Sequence, residues 1–249
     1  MHAQVVLTSS ESKRLIAKGI AACPQVLKAL RSGTIAIFKG TTNSYVVEEV
    51  TGSAIKRTDY VTGRTLPAKG ELPYPVTAKL PDVVLKDGKP LEGVTAADAV
   101  AAMSPGDVAL KGANALNYER GQAAILIGHQ QGGNIGALIG PATARRVHFM
   151  IPVGLEKSVG FDLAEAARLA NDPDGATPGD PALWPVGGEI FTEIEALKTL
   201  AGVEARHIAS GGIGGAEGSV RLLVRGADED VKRALEIVKS IQGEPPFVS

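Results

Sequence analysis

The stretch from residue 34 to residue 50, TIAIFKGTTNSYVVEEV, constrains the fold of this 249-residue chain more than any other. Residues 34–38 are apolar and β-branched, which predicts a strand buried on both faces. Residues 39–44 are small and rich in hydroxyls, and residues 45–50 continue as a helix with Asn43 or Ser44 as its N-cap. Such a turn directs free backbone N–H groups and the positive end of a helix dipole at one point. The stretch therefore predicts either an anion site or an ordinary capped turn.

Three further apolar runs are typical of buried strands, at residues 107–110, 123–127 and 147–153. Because they alternate with helical patterns, they predict an α/β fold with a mostly parallel, Rossmann-like sheet and helices on both faces. We assign residues 1–185 to this domain, with an inserted antiparallel segment at about 52–93. Residues 186–249 follow a helix–strand–strand–helix order, which predicts a small C-terminal α+β subdomain.

Local patterns predict the remaining elements. Residues 8–11 start a helix with a hydroxyl N-cap and Glu11 in the first turn, and Thr95 caps another helix. The inserted segment reads as short strands with a turn at residues 86–89. We expect strands at residues 55–61, 76–80, 83–85, 203–209 and 220–224. We expect helices at residues 95–103, 137–144, 161–169, 190–200 and 228–241. Residues 171–184 are expected to form a loop.

Composition excludes several classes of partner. The net charge is −1, no block of Lys or Arg occurs, and aromatic residues make up 4% of the chain, which argues against nucleic acid and acidic membranes. No histidine pair has metal-ligand spacing, and neither a dinucleotide fingerprint nor a Walker A pattern occurs, so we expect no metal and no cofactor. With one cysteine, no signal peptide and no long apolar run, we expect a cytoplasmic protein.

The candidate site follows from the ends of the predicted strands. Ligands of open parallel sheets bind beyond the carboxyl ends of the strands. Four such ends are expected at one edge, at residues 39–44, 111–114, 129–136 and 154–157. Their lysines, hydroxyls, amides and glycine-lined turns suit a phosphate or carboxylate. The candidate binding residues are Lys39, Gly40, Thr41, Thr42, Asn43, Ser44, Asn114, Gln130, Gln131, Gly132, Gly133 and Asn134.

Three residues are candidates for catalysis. His129 directly follows a strand and is the best acid–base group by position, although it could also serve only to hydrogen-bond its loop. Lys111, with Asn114, is placed to orient or polarise a carbonyl group. Glu119 lies in a turn from which it could act as a general base, or it could simply be solvated. The Gly-rich loop at 210–218 predicts a lid, a ligand contact or a long hairpin turn.

A family resemblance rests on four of these stretches. Residues 35–50 resemble the first βα phosphate turn of type A ribose-5-phosphate isomerase. Residues 107–116 (DVALKGANAL), 125–140 (ILIGHQQGGNIGALIG) and 148–159 (HFMIPVGLEKSV) follow the later order of that family. The wider superfamily includes glucosamine-6-phosphate deaminases and CoA transferases. Lys111 and Asn114 stand where the isomerases have acidic residues, so the resemblance implies the fold and an anion-binding edge, not the ribose-phosphate reaction.

Two functions are consistent with these observations. One is an enzyme that acts on a phosphorylated or carboxylated metabolite by isomerisation or a related proton transfer. The other is a non-catalytic binding or regulatory protein that uses the same site. The inserted segment could pack on a neighbouring subunit or form a surface flap, and we expect a homo-oligomer.

Overall fold

The computed structural model describes residues 1–62, 65, 79–177 and 179–247, which form eight α-helices and twelve β-strands. The helices are α1 Ser9–Ala22, α2 Pro24–Ser32, α3 Thr41–Thr51, α4 Ala96–Ala102, α5 Gly133–Ala144, α6 Leu163–Ala170, α7 Glu193–Ala201 and α8 Asp228–Ile241. The strands are β1 His2–Leu7, β2 Thr34–Ile37, β3 Val83–Lys86, β4 Lys89–Pro90, β5 Val108–Leu110, β6 Ala115–Asn117, β7 Gln122–Ile127, β8 His148–Pro152, β9 Ala182–Val186, β10 Glu189–Phe191, β11 Glu204–Ser210 and β12 Val220–Arg225.

The main sheet has six strands in the order β10-β8-β5-β2-β3-β4. The first four are parallel to one another, and the β3–β4 hairpin adds to β2 in the antiparallel sense. Asp87 and Gly88 turn this hairpin with φ of 49° and 74°, the left-handed geometry that Asp-Gly tolerates. These observations confirm the α/β class, the strand at residues 83–85 and the turn at 86–89. They also show that the main sheet is mixed, with parallel and antiparallel pairs.

The prediction that β7 belongs to the main sheet is wrong. β7 pairs antiparallel with β6 and with β9, and these three strands form a separate sheet. The reason is the short connection after β6, because four residues suffice for a hairpin but not for the crossover that a parallel neighbour needs. β9 also occupies the end of the stretch that was expected to be a loop.

The third sheet pairs the first strand of the chain with two strands from its C-terminal part. β12 lies between β1 and β11 and pairs antiparallel with both. The expected strands at 203–209 and 220–224 and the helix at 228–241 are confirmed within a residue or so. The division at residue 185 stays a prediction, but pairing crosses it twice, since β1 joins β12 and β10 joins β8.

Two further elements differ from expectation. The helix expected at 190–200 begins only at Glu193, after β10, and Thr192 caps it through a capping box with Glu195. The strand expected at 55–61 is instead a 3₁₀ turn, Arg57–Asp59, and the strand expected at 76–80 lies mostly outside the described residues. The hydroxyl N-cap expected at residues 8–11 is Thr8, which forms a capping box with Glu11, and the cap at Thr95 is confirmed. No helix within the described ranges combines the length and apolar character needed to cross a bilayer.

An ion-pair network ties α1 to α3 and to the C-terminal tail. Arg14 donates to Glu48 at 2.6 Å and to both carboxylate oxygens of Glu244 at 3.0 Å, and Arg57 donates to Glu244 at 2.7 Å. Both guanidinium groups lie over the ring of Tyr45, at 4.8 and 4.3 Å from its centroid. Burial acts to raise the pKa of Glu244, but hydrogen bonds from the two arginines outweigh it and lower that pKa. The network thus holds α3 against α1.

We expect Arg14→Met to lower the free energy of unfolding by about 2 kcal/mol, because it leaves partly buried carboxylates with fewer partners. Arg57 still neutralises Glu244, which keeps the loss below that of a fully buried pair. Urea unfolding measures the change, with Arg31→Met on the exposed side of α2 as the matched control. Equal losses in the two variants would contradict a stabilising role for the network.

Candidate functional site

The N-terminus of α3 lies at the carboxyl end of β2 and carries no side-chain cap. The N-cap is Gly40, so the expected N-cap at Asn43 or Ser44 is wrong. Both lie inside the first turn, where the Ser44 hydroxyl donates to the carbonyl of Thr41 at 2.7 Å. The first-turn N–H groups of α3 have no intrahelical acceptor, as in any helix, and here no cap replaces one. This arrangement favours an anion at that point.

Asn43 fastens α3 to the ends of two parallel strands. Its side-chain amide nitrogen donates to the carbonyl of Phe38 at 2.7 Å and to the carbonyl of Leu110 at 2.9 Å. The residue is 1% exposed, and the two carbonyl acceptors fix which end of its amide is nitrogen. Asn43 therefore sets the spacing between β2 and β5 beneath the site.

A cavity of about 80 Å³, here called the cup, opens where the ends of β2 and β5 meet the turn that follows β8. Six of the predicted site residues line it, and five further residues complete it. The predicted ones are Gly40, Thr41, Thr42, Asn43, Lys111 and Asn114; the others are Val61, Thr62, Gly112, Ala113 and Lys157. The strand-end principle thus locates a real concavity at this edge.

Two lysines supply the charge of the cup. The Lys111 ammonium donates to the backbone carbonyl of Lys39 at 3.1 Å, and the Lys157 ammonium donates to that of Ala113 at 2.8 Å. Burial lowers the pKa of both, and the charge of Lys157 lowers that of Lys111 further, to about 8. None of the described residues that line the cup is a carboxylate. The lining of the cup is therefore positively charged, which favours the binding of an anion there.

A second cavity of about 370 Å³, here called the loop cavity, adjoins the cup and shares Lys111 and Thr62 with it. Its other lining residues come from the end of β7 and the start of α5: Ile125, Leu126, Ile127, Gly128, His129, Gly132, Gly133, Asn134 and Ile135. Four of the predicted site residues, His129, Gly132, Gly133 and Asn134, thus lie near Lys111. These residues approach Lys111 from the end of β7, in the sheet of β6, β7 and β9, and not from the main sheet.

The geometry of this loop determines the tautomer of His129. The Gln131 backbone N–H donates to His129 Nδ1 at 3.2 Å, so the neutral imidazole carries its proton on Nε2. Gly132 has φ of 78°, and a Cβ there would lie 3.0 Å from the Trp184 ring. Glycine is needed at this position for both its backbone angle and its packing.

The structure does not bring every predicted residue to the cup. Ser44 lines none of the described cavities, and the Lys39 ammonium lies 3.9 Å from Asp82. Gln130 and Gln131 line a separate hollow with His129. Glu119 lies in a cavity of about 770 Å³ together with His207 and Arg206, away from the cup. The catalytic role proposed for Glu119 from sequence stays a prediction without support from its position.

Sequence reasoning missed a buried ionic cluster behind Lys157. Glu193, at 0% exposure, accepts from the Leu155 backbone N–H at 3.0 Å, and Lys13 lies 4.0 Å from Glu156. Burial, with the charge of Glu156, raises the pKa of Glu193 from 4.5 to about 7. Its contribution to stability is therefore present below pH 4.5 and lost as pH rises through about 7. Lys13 and Glu193 are far in sequence from the predicted strand end at 154–157, which contains Glu156 and Lys157.

Comparisons with known proteins do not assign the site. No model of a protein family, no curated protein and no solved structure matches this chain. Among the described residues, no group of three or more His, Cys, Asp or Glu side chains could hold a metal ion. The interpretation of the cup therefore rests on its own geometry and charge.

Proposed function

We propose that this protein binds a phosphorylated or carboxylated small metabolite, with the anionic group in the cup. The observation that carries the proposal is the pair of buried lysines, Lys111 and Lys157, beside the uncapped N-terminus of α3. Ammonium groups and free backbone N–H groups that converge on one cavity are the usual way in which proteins hold such anions.

The sizes of the two cavities fit a ligand with a small anionic head. The cup, at about 80 Å³, has room for one tetrahedral or planar anion, since a water molecule takes about 30 Å³ in the liquid. The loop cavity, at about 370 Å³, falls in the range of small-molecule sites. The rest of the metabolite then lies against Lys111 and the residues of the loop.

We further propose that the reaction is an isomerisation or a related proton transfer. His129 lines the loop cavity and is the proton-transfer group, with its proton on Nε2 when neutral. Lys111 polarises a carbonyl group of the ligand. We also propose that the main sheet is Rossmann-like with helices on both faces, as the resemblance to the ribose-5-phosphate isomerase superfamily implies.

A non-catalytic binding or regulatory protein is the second candidate. The lack of a carboxylate among the described residues of the cup favours it, because sugar isomerases commonly use one as their base. Proton exchange separates the two candidates. Sugar phosphates and keto acids that bind are incubated in D₂O, and their C–H signals are followed by NMR with wild type and with His129→Ala. Binding without exchange in wild type would favour the second candidate.

We expect sulfate to bind the cup and its affinity to fall as pH rises from about 7 to about 9.5, because Lys111, with a pKa of about 8, loses its charge in that range. Sulfate keeps one charge state there, so the change reports on the protein. Calorimetric titration at constant ionic strength measures it.

Two matched variants test the place of binding. Thr41→Val removes a hydroxyl from the cup, whereas Thr199→Val makes the same change on an exposed turn of α7. We expect a several-fold weaker affinity for sulfate only in the first. If sulfate does not bind, or if both variants behave as wild type, the cup is not an anion site.

The homo-oligomer expected from the sequence remains part of the proposal. Ile213, in the loop between β11 and β12, is 90% exposed and gives this loop an apolar tip. Light scattering coupled to size-exclusion chromatography measures the oligomeric state of wild type and of Ile213→Ser. A monomer at all concentrations would exclude this part of the proposal.

A further inference from the structure

Lys111 occupies the junction of the two cavities. It lines the cup and the loop cavity together with Thr62, and of these two only Lys111 carries a nucleophilic amine. A ligand with its anionic head in the cup and its body in the loop cavity must pass this side chain. The atoms that follow the anionic group in the ligand therefore lie beside the Lys111 side chain.

The surroundings of Lys111 increase the fraction of its neutral form in the unliganded protein. Burial and the charge of Lys157 lower its pKa to about 8, whereas Asp82 raises it. At about pH 7.5 roughly a quarter of the amine is then unprotonated, against about 0.1% for an exposed lysine. A desolvated lysine beside a second cation is a known means of activating an amine for attack on carbonyl groups.

We propose that Lys111 is a nucleophile that forms an imine with an aldehyde or ketone group of the anionic ligand. This inference rests on the proposed function, since the cup must first hold the anion. It names the substrate class more closely: a small phosphorylated or carboxylated carbonyl compound, with the carbonyl near the anionic group.

The step balances without an oxidant or reductant. The lone pair of the neutral Lys111 nitrogen attacks the carbonyl carbon, the π electrons of the C=O bond move to oxygen, and oxygen takes up the first proton that the nitrogen loses. The resulting carbinolamine then loses its hydroxyl group, after protonation, as water, and the nitrogen loses its second proton. Amine and carbonyl thus give imine and water.

The imine connects this lysine to the proposed proton transfer. Protonated imines withdraw electrons from the neighbouring carbon and so acidify its C–H bond. His129, which lines the loop cavity, can accept that proton at Nδ1 once the Gln131 N–H no longer donates to it. Lys157 acts as a positioning residue, since it holds the anion and lowers the pKa of Lys111.

The test is chemical trapping. The protein is incubated with glyceraldehyde 3-phosphate and sodium cyanoborohydride, and the modified lysine is located by peptide mass spectrometry. Glyceraldehyde and pyruvate are run in parallel to separate the unphosphorylated and carboxylated classes. We expect one adduct per chain, on Lys111, at a rate that excess sulfate suppresses and that rises with pH through about 8. Exposed Lys28 reports the background.

Variants and sulfate binding make the outcome decisive. Lys157→Met is expected to move the pH midpoint of trapping upward, because it removes the neighbouring positive charge. Lys111→Met is expected to abolish the specific adduct. If wild type binds sulfate but is labelled no faster on Lys111 than on Lys28, the nucleophile proposal is wrong and the anion site stands. If sulfate does not bind, the proposed function has failed instead.

Discussion

Asn43→Asp is expected to lower the free energy of unfolding by about 4 kcal/mol, although it exchanges only one NH₂ group for an oxygen. Asn43 donates to the carbonyls of Phe38 and Leu110 at 2.7 and 2.9 Å and is 1% exposed. The change removes two buried hydrogen bonds, each worth about 1–3 kcal/mol when a partner is left unsatisfied, and places a carboxylate against two carbonyl oxygens. Urea or thermal unfolding at neutral pH measures the loss.

A matched change at a surface asparagine provides the control. Asn171 is exposed and bonds the backbone of Leu183, so Asn171→Asp is expected to cost less than about 1 kcal/mol. In acid the introduced carboxyl protonates and can donate one hydrogen bond, so the gap between the two variants should narrow. Similar losses at neutral pH would show that Asn43 does not hold β2, β5 and α3 together.

Lys111→Met is expected to weaken sulfate binding about thirtyfold while it stabilises the unliganded protein. The loss of affinity follows from a charge-assisted hydrogen bond worth about 2 kcal/mol. The gain in stability follows from the lowered pKa, because burial of the charged ammonium beside Lys157 opposes folding by about 3 kcal/mol. Loss of the hydrogen bond to the Lys39 carbonyl costs about 1 kcal/mol, so the free energy of unfolding rises by about 2 kcal/mol in total.

The sign of the pH dependence distinguishes this explanation from a packing effect. Between about pH 8 and 10.5 the unfolded chain binds a proton at this lysine that the folded chain lacks, so wild-type stability rises with pH there. The gain in free energy of unfolding that Lys111→Met brings over wild type is therefore largest below about pH 8 and disappears towards pH 10.5. Lys28→Met on α2 is the matched control, with no change expected in affinity. A variant that is less stable than wild type at neutral pH would contradict a charge cost at Lys111.

Much of the fold could be predicted because the signals are local. The capping box at Thr8 and the acidic start of α8 satisfy backbone donors or the helix dipole within one turn. The Asp-Gly turn needs only its own backbone angles. The strand end at residues 39–44 was predicted as part of a site because small residues between a strand and a helix leave backbone donors free wherever the helix goes.

Errors arose where a local pattern has two possible partners. The apolar run of β7 is compatible with a central parallel strand and with the middle strand of a small antiparallel sheet, and only pairing with β6 and β9 decides between them. Glu119 was grouped with the cup by its position in the chain, but its hairpin turn points towards His207 instead. Lys13, Glu156 and Glu193 carry no shared motif and meet only through packing.

By itself the sequence determined the α/β class, most helix and strand positions, and the strand-end turn that begins α3, because each depends on contacts within a few residues. The tertiary structure alone decided which strands are neighbours, that Asn43 clamps two of them, and that Lys111 and Lys157 share one cavity. Those facts depend on pairing and burial between segments distant in the chain. Burial, not sequence, is also what lowers the pKa of the two lysines.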